Sequence, residues 1–427
     1  MKYFSLHHNA PIVSFKEAVI NGLAPDRGLY FPENITPLPK DFIENLDQFS
    51  NEEIAFRAIQ QFVGDEIPED TLRQIVSETI AFDFPVVAIE KNIGSLELFH
   101  GPTLAFKDVG ARFMARCLGY FNQQNAEKVT VLVATSGDTG GAVANGFLGV
   151  KGVEVIILYP SGKVSDIQEK QLTTLGQNIT ALEVEGVFDD CQEMVKSAFL
   201  DSGINRQLTS ANSINVARWL PQMFYYFFAY KQLYKKHKDI LFSVPSGNFG
   251  NICAGMLAQK LGLPIKHFIA ATNINDTVPL FMLEGNYTPK PSQPTISNAM
   301  DVGNPSNFIR IQELFQHNFE DLKTAFSSYS FSDDLTKDAM QRIHKNSNYI
   351  ADPHGAVGYL GLEKHNLKDN EFGVFLETAH PVKFLDVVEN TLAKTIAIPE
   401  DIQTLIQKEK KSTQIQTYEE LKAFLNE

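Results

Sequence analysis

The chain has 427 residues, and 37 Lys+Arg against 51 Asp+Glu give a formal charge of −14 at pH 7. That acidic surplus argues against nucleic acid or an anionic membrane as the main partner. Hydrophobic residues at 44%, charged residues at 21% and 32 Phe describe a globular protein with a large core, which excludes disordered and fibrous folds.

Residues 1–95 open with a short helical pattern, pass through a turn-rich stretch at 24–39 with Pro25, Gly28, Pro32, Pro37 and Pro39, and become helical again over 51–79. From about residue 97 short β-branched runs alternate with helical patterns. This alternation predicts parallel strands joined by crossover helices, an α/β fold. The clearest strands are 128–134, 153–159, 240–244, 267–271 and 373–377, near-continuous apolar runs as buried parallel strands require. The Pro-rich stretch 287–305 reads as a surface excursion and the basic run 408–411 as solvated, ahead of a final helix over 418–426. The segments are therefore 1–95, 96–385 and a helical 386–427. Cys117, Cys191 and Cys253 lack CxxC spacing and read as buried thiols in a reducing compartment. No 18-residue apolar run occurs and the first residues lack the apolar core of a secretion signal, so a cytoplasmic protein is expected.

Ligands of open α/β sheets bind beyond the carboxyl ends of strands. Three polar loops stand there. PSGNFGN at 245–251 precedes a helical run, so its backbone N–H groups and the helix dipole suit a phosphate; a tight capped turn is the alternative. TSGDTGG at 135–141 has the same layout and suits a carboxylate or second phosphate, or again a capped turn. HGPTLAFKD at 100–108 places Lys107 at the start of a helical pattern, where an ammonium is disfavoured. That suits a lysine that condenses with a carbonyl, against the alternative of a solvated surface lysine. Walker, GxGxxG, HExxH and GxSxG motifs are missing, as is paired Cys/His ligand spacing, so no metal is expected and His7-His8 reads as a surface pair.

In this order, HGPTLAFKD, ATSGDTG, PSGNFGN and LETAHP resemble threonine synthases of the longer bacterial and fungal kind. GLAPDRGLYFPE at 22–33 resembles that family's N-terminal signature, with Arg27 where glycine is expected, and NSINVAR at 212–218 its phosphate-directed motif. The resemblance implies fold type II of the pyridoxal-phosphate enzymes, similar to tryptophan synthase β, with two parallel-sheet α/β domains and a smaller N-terminal domain. It implies that Lys107 carries pyridoxal 5′-phosphate, that Gly247, Asn248, Phe249, Gly250 and Asn251 hold its phosphate, and that Thr378 faces the ring nitrogen. Asp138 stands where relatives carry asparagine beside the cofactor's phenolic oxygen, and a carboxylate there must share a proton or point elsewhere. Ser136 and Thr139 are expected at the substrate carboxylate, and Ser213, Asn215 and Arg218 at the substrate phosphate. The implied reaction turns O-phospho-L-homoserine and water into L-threonine and phosphate, by a monomer or homodimer. A serine/threonine dehydratase on the same lysine, or a silent ligand-binding relative, is the alternative.

Overall fold

The computed structural model describes residues 1–123 and 128–427. In chain order its strands are β1 (Lys2–Ser5), β2 (Val13–Ser14), β3 (Tyr30–Pro32), β4 (Val86–Glu90), β5 (Ile93–Glu97), β6 (Val129–Ala134) and β7 (Val153–Pro160). They continue as β8 (Ile179–Val184), β9 (Gln207–Thr209), β10 (Asp239–Pro245), β11 (His267–Thr272), β12 (Phe326–Ser330), β13 (Glu371–Glu377) and β14 (Thr413–Ile415). The five strands expected from apolar runs are all present, each within two residues of its expected ends.

Contacts divide the chain into two compact units that cut across the expected segments. The first comprises Met1, Phe31–Phe106 and Trp219–Ile396. Its sheet has the order β12-β11-β10-β13-β5-β4, parallel throughout except where β4 meets β5. β13 is buried along its whole length because its apolar run, FGVFL, lies in the middle of the sheet. Helix Pro353–His365 packs Val357 and Leu360 into the same apolar cluster as Phe375 of β13.

The second unit comprises Lys2–Tyr30, Lys107–Arg218 and Ala397–Glu427. It holds an all-parallel sheet of order β14-β8-β7-β6-β9. Leu132, Ile156, Leu158 and Leu182 form its core with Leu421 and Leu425 of the C-terminal helix Tyr418–Asn426. The C-terminal segment is not wholly helical, since β14 adds an edge strand beside β8. Lys410 departs from the solvated reading of its basic run. It pairs with Glu169 at 2.6 Å and Glu183 at 2.7 Å and so fastens the C-terminal segment to this sheet. Arg27 adopts φ +65°, a conformation glycine reaches at no steric cost, which accounts for the glycine expected there.

All three cysteines are buried free thiols. Among the described residues no helix is long and apolar enough to cross a membrane, and no group of three or more His, Cys, Asp or Glu side chains could hold a metal ion.

Candidate active site

In the first unit the loop 245–251 leaves β10 and enters helix Gly250–Lys260. The residue before that helix, Phe249, has φ +59°, and no side chain caps the helix start. Ser14, Ser50, Ser165, Asp352 and Thr417 cap other helices, while Lys40–Glu44, Glu69–Thr79 and Thr277–Glu284 also begin without a side-chain cap. The amides of Gly247, Phe249, Gly250 and Asn251 donate to no acceptor among the described residues. Asn251 is buried, accepts from Tyr226 Oη at 2.8 Å, and leaves its Nδ2 without a partner. Four idle amides, an idle buried side-chain donor and the positive end of a helix dipole form a cradle for a dianion. At Gly247 a Cβ would lie 2.7 Å from Met300 Cα and 3.0 Å from Ala299 O, so only glycine lets the loop run this close to 299–300. Asn248 Oδ1 accepts from Ser306 N at 2.6 Å.

Thr378 follows β13, the parallel neighbour of β10, so it stands at the same carboxyl edge as the cradle. Its carbonyl accepts from Phe106 N at 2.9 Å, while the hydroxyl of this buried residue has no partner among the described residues. A threonine that merely capped the strand would use that hydroxyl. The segment leading to Lys107 is anchored in this unit by further bonds: His380 N to Leu104 O at 3.0 Å and the buried Lys383 Nζ to Thr103 O at 2.8 Å.

In the second unit Lys107 opens helix Lys107–Asn122. One turn on, a Cβ at Gly110 would lie 2.6 Å from the carbonyl oxygen of Arg218 and 3.1 Å from its Nε. Lys107 and Arg218 therefore stand at the same end of that helix. Arg218 is buried, and its Nη1 donates to Ala211 O. Ser213 lies on the half-buried turn before it. Asn215 is fully buried, with Nδ2 donating to Val19 O at 2.8 Å and Ser210 O at 3.2 Å and Oδ1 accepting from Ala217 N at 3.0 Å. Its amide is committed to shaping the turn rather than offered to a ligand.

Loop 135–141 leaves β6 for helix Asp138–Phe147. Thr135 Oγ1 accepts from Gly137 N at 3.0 Å and Gly140 N at 2.8 Å, so those two amides serve the turn itself. Ser136 and Thr139 are half-buried, and neither their amides nor their hydroxyls meet a partner among the described residues. Asp138 is buried and its Oδ1 accepts from Gln168 Nε2 at 2.9 Å. The carboxylate at this position thus has a donor of its own in this unit.

Two groups escaped the reading of the sequence. The segment Asn298–Met300, inside the supposed surface excursion, is the wall against which Gly247 packs. Glu377, a carboxyl group at the end of an apolar strand and next to Thr378, is fully buried. An acid closing such a run was the signal that could have found it.

The family model described as pyridoxal-phosphate dependent enzyme matches residues 95–377. Models for the threonine synthase N terminus and the threonine synthase C-terminal region match residues 2–80 and 355–425. The chain belongs to the threonine synthase family. It is 46% identical to threonine synthase of Escherichia coli over 408 residues, 94% of each chain, and 37% identical to that of Saccharomyces cerevisiae over 92% of this chain and 89% of the other. The solved Escherichia coli threonine synthase superposes with a TM-score of 0.93 at 43% identity, covering 100% of this chain and 99% of that one. A threonine synthase from Brucella melitensis solved with pyridoxal phosphate bound gives 0.93 at 35% identity over the same shares. Maize serine racemase, at 16% identity and a TM-score of 0.55 over 73% of this chain and 92% of its own, shares the fold. The protein is accordingly a fold type II pyridoxal-phosphate-dependent lyase, and the idle donors at 247–251 fit the cofactor's phosphate.

Proposed function

We propose that this enzyme converts O-phospho-L-homoserine and water to L-threonine and phosphate in the cytoplasm, with Lys107 as the residue that carries the cofactor and moves protons. The observation that carries the reading is Arg218, buried one helical turn from Lys107 and additional to the donors at 247–251. A dehydratase acting on serine or threonine has no phosphate to meet and needs no such second cation.

When bound, pyridoxal phosphate supplies an electron sink for negative charge developing at the substrate carbon next to the amine. Ser136 and Thr139, through free amides and hydroxyls, orient the substrate α-carboxylate. Lys107 takes the proton from Cα, gives it up, and as free amine again takes one from Cβ. Arg218, with Ser213 on the adjoining turn, balances the substrate phosphate and the charge that grows on it as the Cγ–O bond breaks and the oxygen keeps the electron pair. Asn215 holds the turn on which Ser213 and Arg218 stand. The oxygen of water bonds to Cβ, one of its protons is released, and protons return to Cγ and Cα, which completes the exchange of phosphate for hydroxyl. Thr378 offers the ring nitrogen a neutral hydroxyl, so the ring stays a softer sink and replacement is favoured over transamination.

The test compares O-phospho-L-homoserine with L-homoserine, L-serine and L-threonine as substrates. Phosphate and threonine should appear in equal amounts from the phosphoester, with at least a thousandfold preference over the others, roughly what a charged group left unpaired in a built site would impose. Deamination of serine or threonine with no action on the phosphoester would refute the reading.

A further inference from the structure

Glu377 ends β13 and lies in register with Glu97, which ends the parallel neighbour β5, so two carboxyl groups sit side by side at one sheet edge. A third belongs to Asp352, the N-cap of helix Pro353–His365, and like Glu377 it is 0% exposed. Glu377 and Asp352 lie in a dry site while Glu97 is partly exposed, so a charge on Glu377 would face like charges with little solvent to screen it, and the donors decide whether it is offset.

Glu97 accepts from Tyr349 Oη at 3.0 Å and meets His100 Nε2 at 2.7 Å, with His100 open to solvent. Asp352 Oδ1 accepts from Gly355 N at 2.6 Å, and its Oδ2 meets His354 Nδ1 at 2.9 Å. Because His354 Nε2 accepts from Ala299 N at 3.2 Å, the imidazole proton is on Nδ1 and donates to Asp352. Asp352 thus has two donors and a helix N-terminus. Glu377 has one donor, Asp352 N at 2.5 Å to Oε1, and its Oε2 has none. No lysine, arginine or histidine among the described residues pairs with it. Oε2 has no solvent-accessible surface, and the Gly355 backbone packs so close that a Cβ there would lie 1.6 Å from it. The groups facing Glu377 are therefore Asp352, Glu97 and the Tyr349 hydroxyl, none of them cationic. Burial first, then the charges of Asp352 and Glu97, push its carboxyl well above the usual carboxylate range.

We propose that Glu377 works as an uncharged carboxylic acid, a positioning residue behind Thr378 that keeps negative charge away from the cofactor's ring nitrogen. The inference rests on the reading of Thr378 as the ring-nitrogen partner. A carboxylate one residue from that hydroxyl would favour a proton on the ring and so deepen the sink that the hydroxyl keeps shallow. The same chain of bonds reaches Ala299, whose carbonyl backs Gly247, so the acid also ties the Thr378 strand end to the phosphate cradle.

Infrared difference spectroscopy on the cofactor-free protein tests this directly. A protonated-carboxyl band should be present at neutral pH, vanish in Glu377→Gln and persist in Asp352→Asn. In the holoenzyme the visible cofactor spectrum should change on alkaline titration as Glu377 ionises, and Glu377→Gln should abolish that change. Absence of the band from the unsubstituted protein, a band removed by Asp352→Asn instead, or an identical alkaline transition in Glu377→Gln overturns the proposal; the first of these needs no variant to fold. Thr378→Val separates the two readings. If the band belongs to Glu377 but Thr378→Val leaves the cofactor spectrum unchanged, the ring-nitrogen reading falls and takes the positioning role with it. If Thr378→Val shifts the spectrum and the band is missing, only the Glu377 proposal falls.

Discussion

Replacing Gly247 by alanine adds one methyl group at the tightest point of the loop after β10. The added Cβ would lie 2.7 Å from Met300 Cα and 3.0 Å from Ala299 O, both backbone atoms that no rotamer change can move aside. Nor can the wall retreat cheaply, because Met300 is buried and Ala299 N is held by His354 at 3.2 Å. Overpacking of this kind costs about 1–3 kcal/mol, and relief comes from the loop, which must swing its idle amides out of line with the cofactor phosphate. A loss of about 1.4–2.8 kcal/mol corresponds to a 10- to 100-fold weaker cofactor Kd. Folding survives, since the loss is a fraction of the roughly 5–15 kcal/mol typical of domains. Titrating cofactor-free protein with pyridoxal phosphate by absorbance gives the Kd, thermal unfolding without cofactor checks the fold, and pyridoxal lacking the phosphate serves as control. The variant should lose affinity for the phosphorylated form and little for the control. A folded variant whose pyridoxal phosphate Kd stays within about twofold of wild type, some 0.4 kcal/mol, would refute the assignment of this loop.

Lys107→Ala should fold normally, since it removes one side chain at a helix start, and should lose turnover and the borohydride-fixed cofactor adduct; peptide mapping that finds the adduct on another lysine sinks the assignment. Arg218→Ala should raise KM for the phosphoester by about 100-fold, the order of a lost charge-assisted contact, with cofactor Kd nearly unchanged, and Arg218→Lys should recover only part because a point charge lacks the planar fork; equal losses in both constants would place Arg218 in the cofactor site or the core. Stability should fall on the acid side: burial, then neighbouring histidines, hold His267 and His380 at about 4 against an ordinary 6.5, so the unfolded chain takes up protons first and stability drains as pH falls from 6.5 towards 4. A melting temperature flat across that window in Glu377→Gln, where the opposing carboxyl is removed, contradicts the burial of both rings. The raised Glu377 works in the opposite sense: its contribution is complete below its ordinary value of 4.5 and is lost as pH rises from there through its folded value, so Glu377→Gln should flatten that decline in thermal melts.

The parts of the molecule legible in the sequence are those set by local pattern. A strand buried on both faces must be apolar along its length, so β6, β7 and β13 were visible as runs, and the loops after them were visible as polar, glycine-containing stretches. Lys107, Thr378 and 245–251 follow from that placement together with the family motifs. What stayed hidden depends on partners distant in the chain. Nothing near Asp138 announces Gln168, thirty residues on, as its donor, and Asn215 gives no local sign that Val19 and Ser210 use up its amide. The stretch 287–305 was polar and Pro-rich enough to read as surface, yet Asn298–Met300 returns to wall the cradle. Lys410 was hidden for the same reason, since its carboxylate partners lie on the other side of the unit's sequence at Glu169 and Glu183. Periodicity reports which residues face inward; it carries no record of which remote group meets them.

In the proposed reaction the Cγ–O bond of a phosphoester is exchanged for a hydroxyl drawn from water at Cβ. Running the reaction with O-phospho-L-homoserine in heavy-oxygen water and analysing both products by mass spectrometry tests it most directly. One labelled oxygen should appear in the threonine hydroxyl for each phosphate released, with none in the phosphate. Label in the phosphate with homoserine as the other product, or phosphate release without labelled threonine, would contradict it.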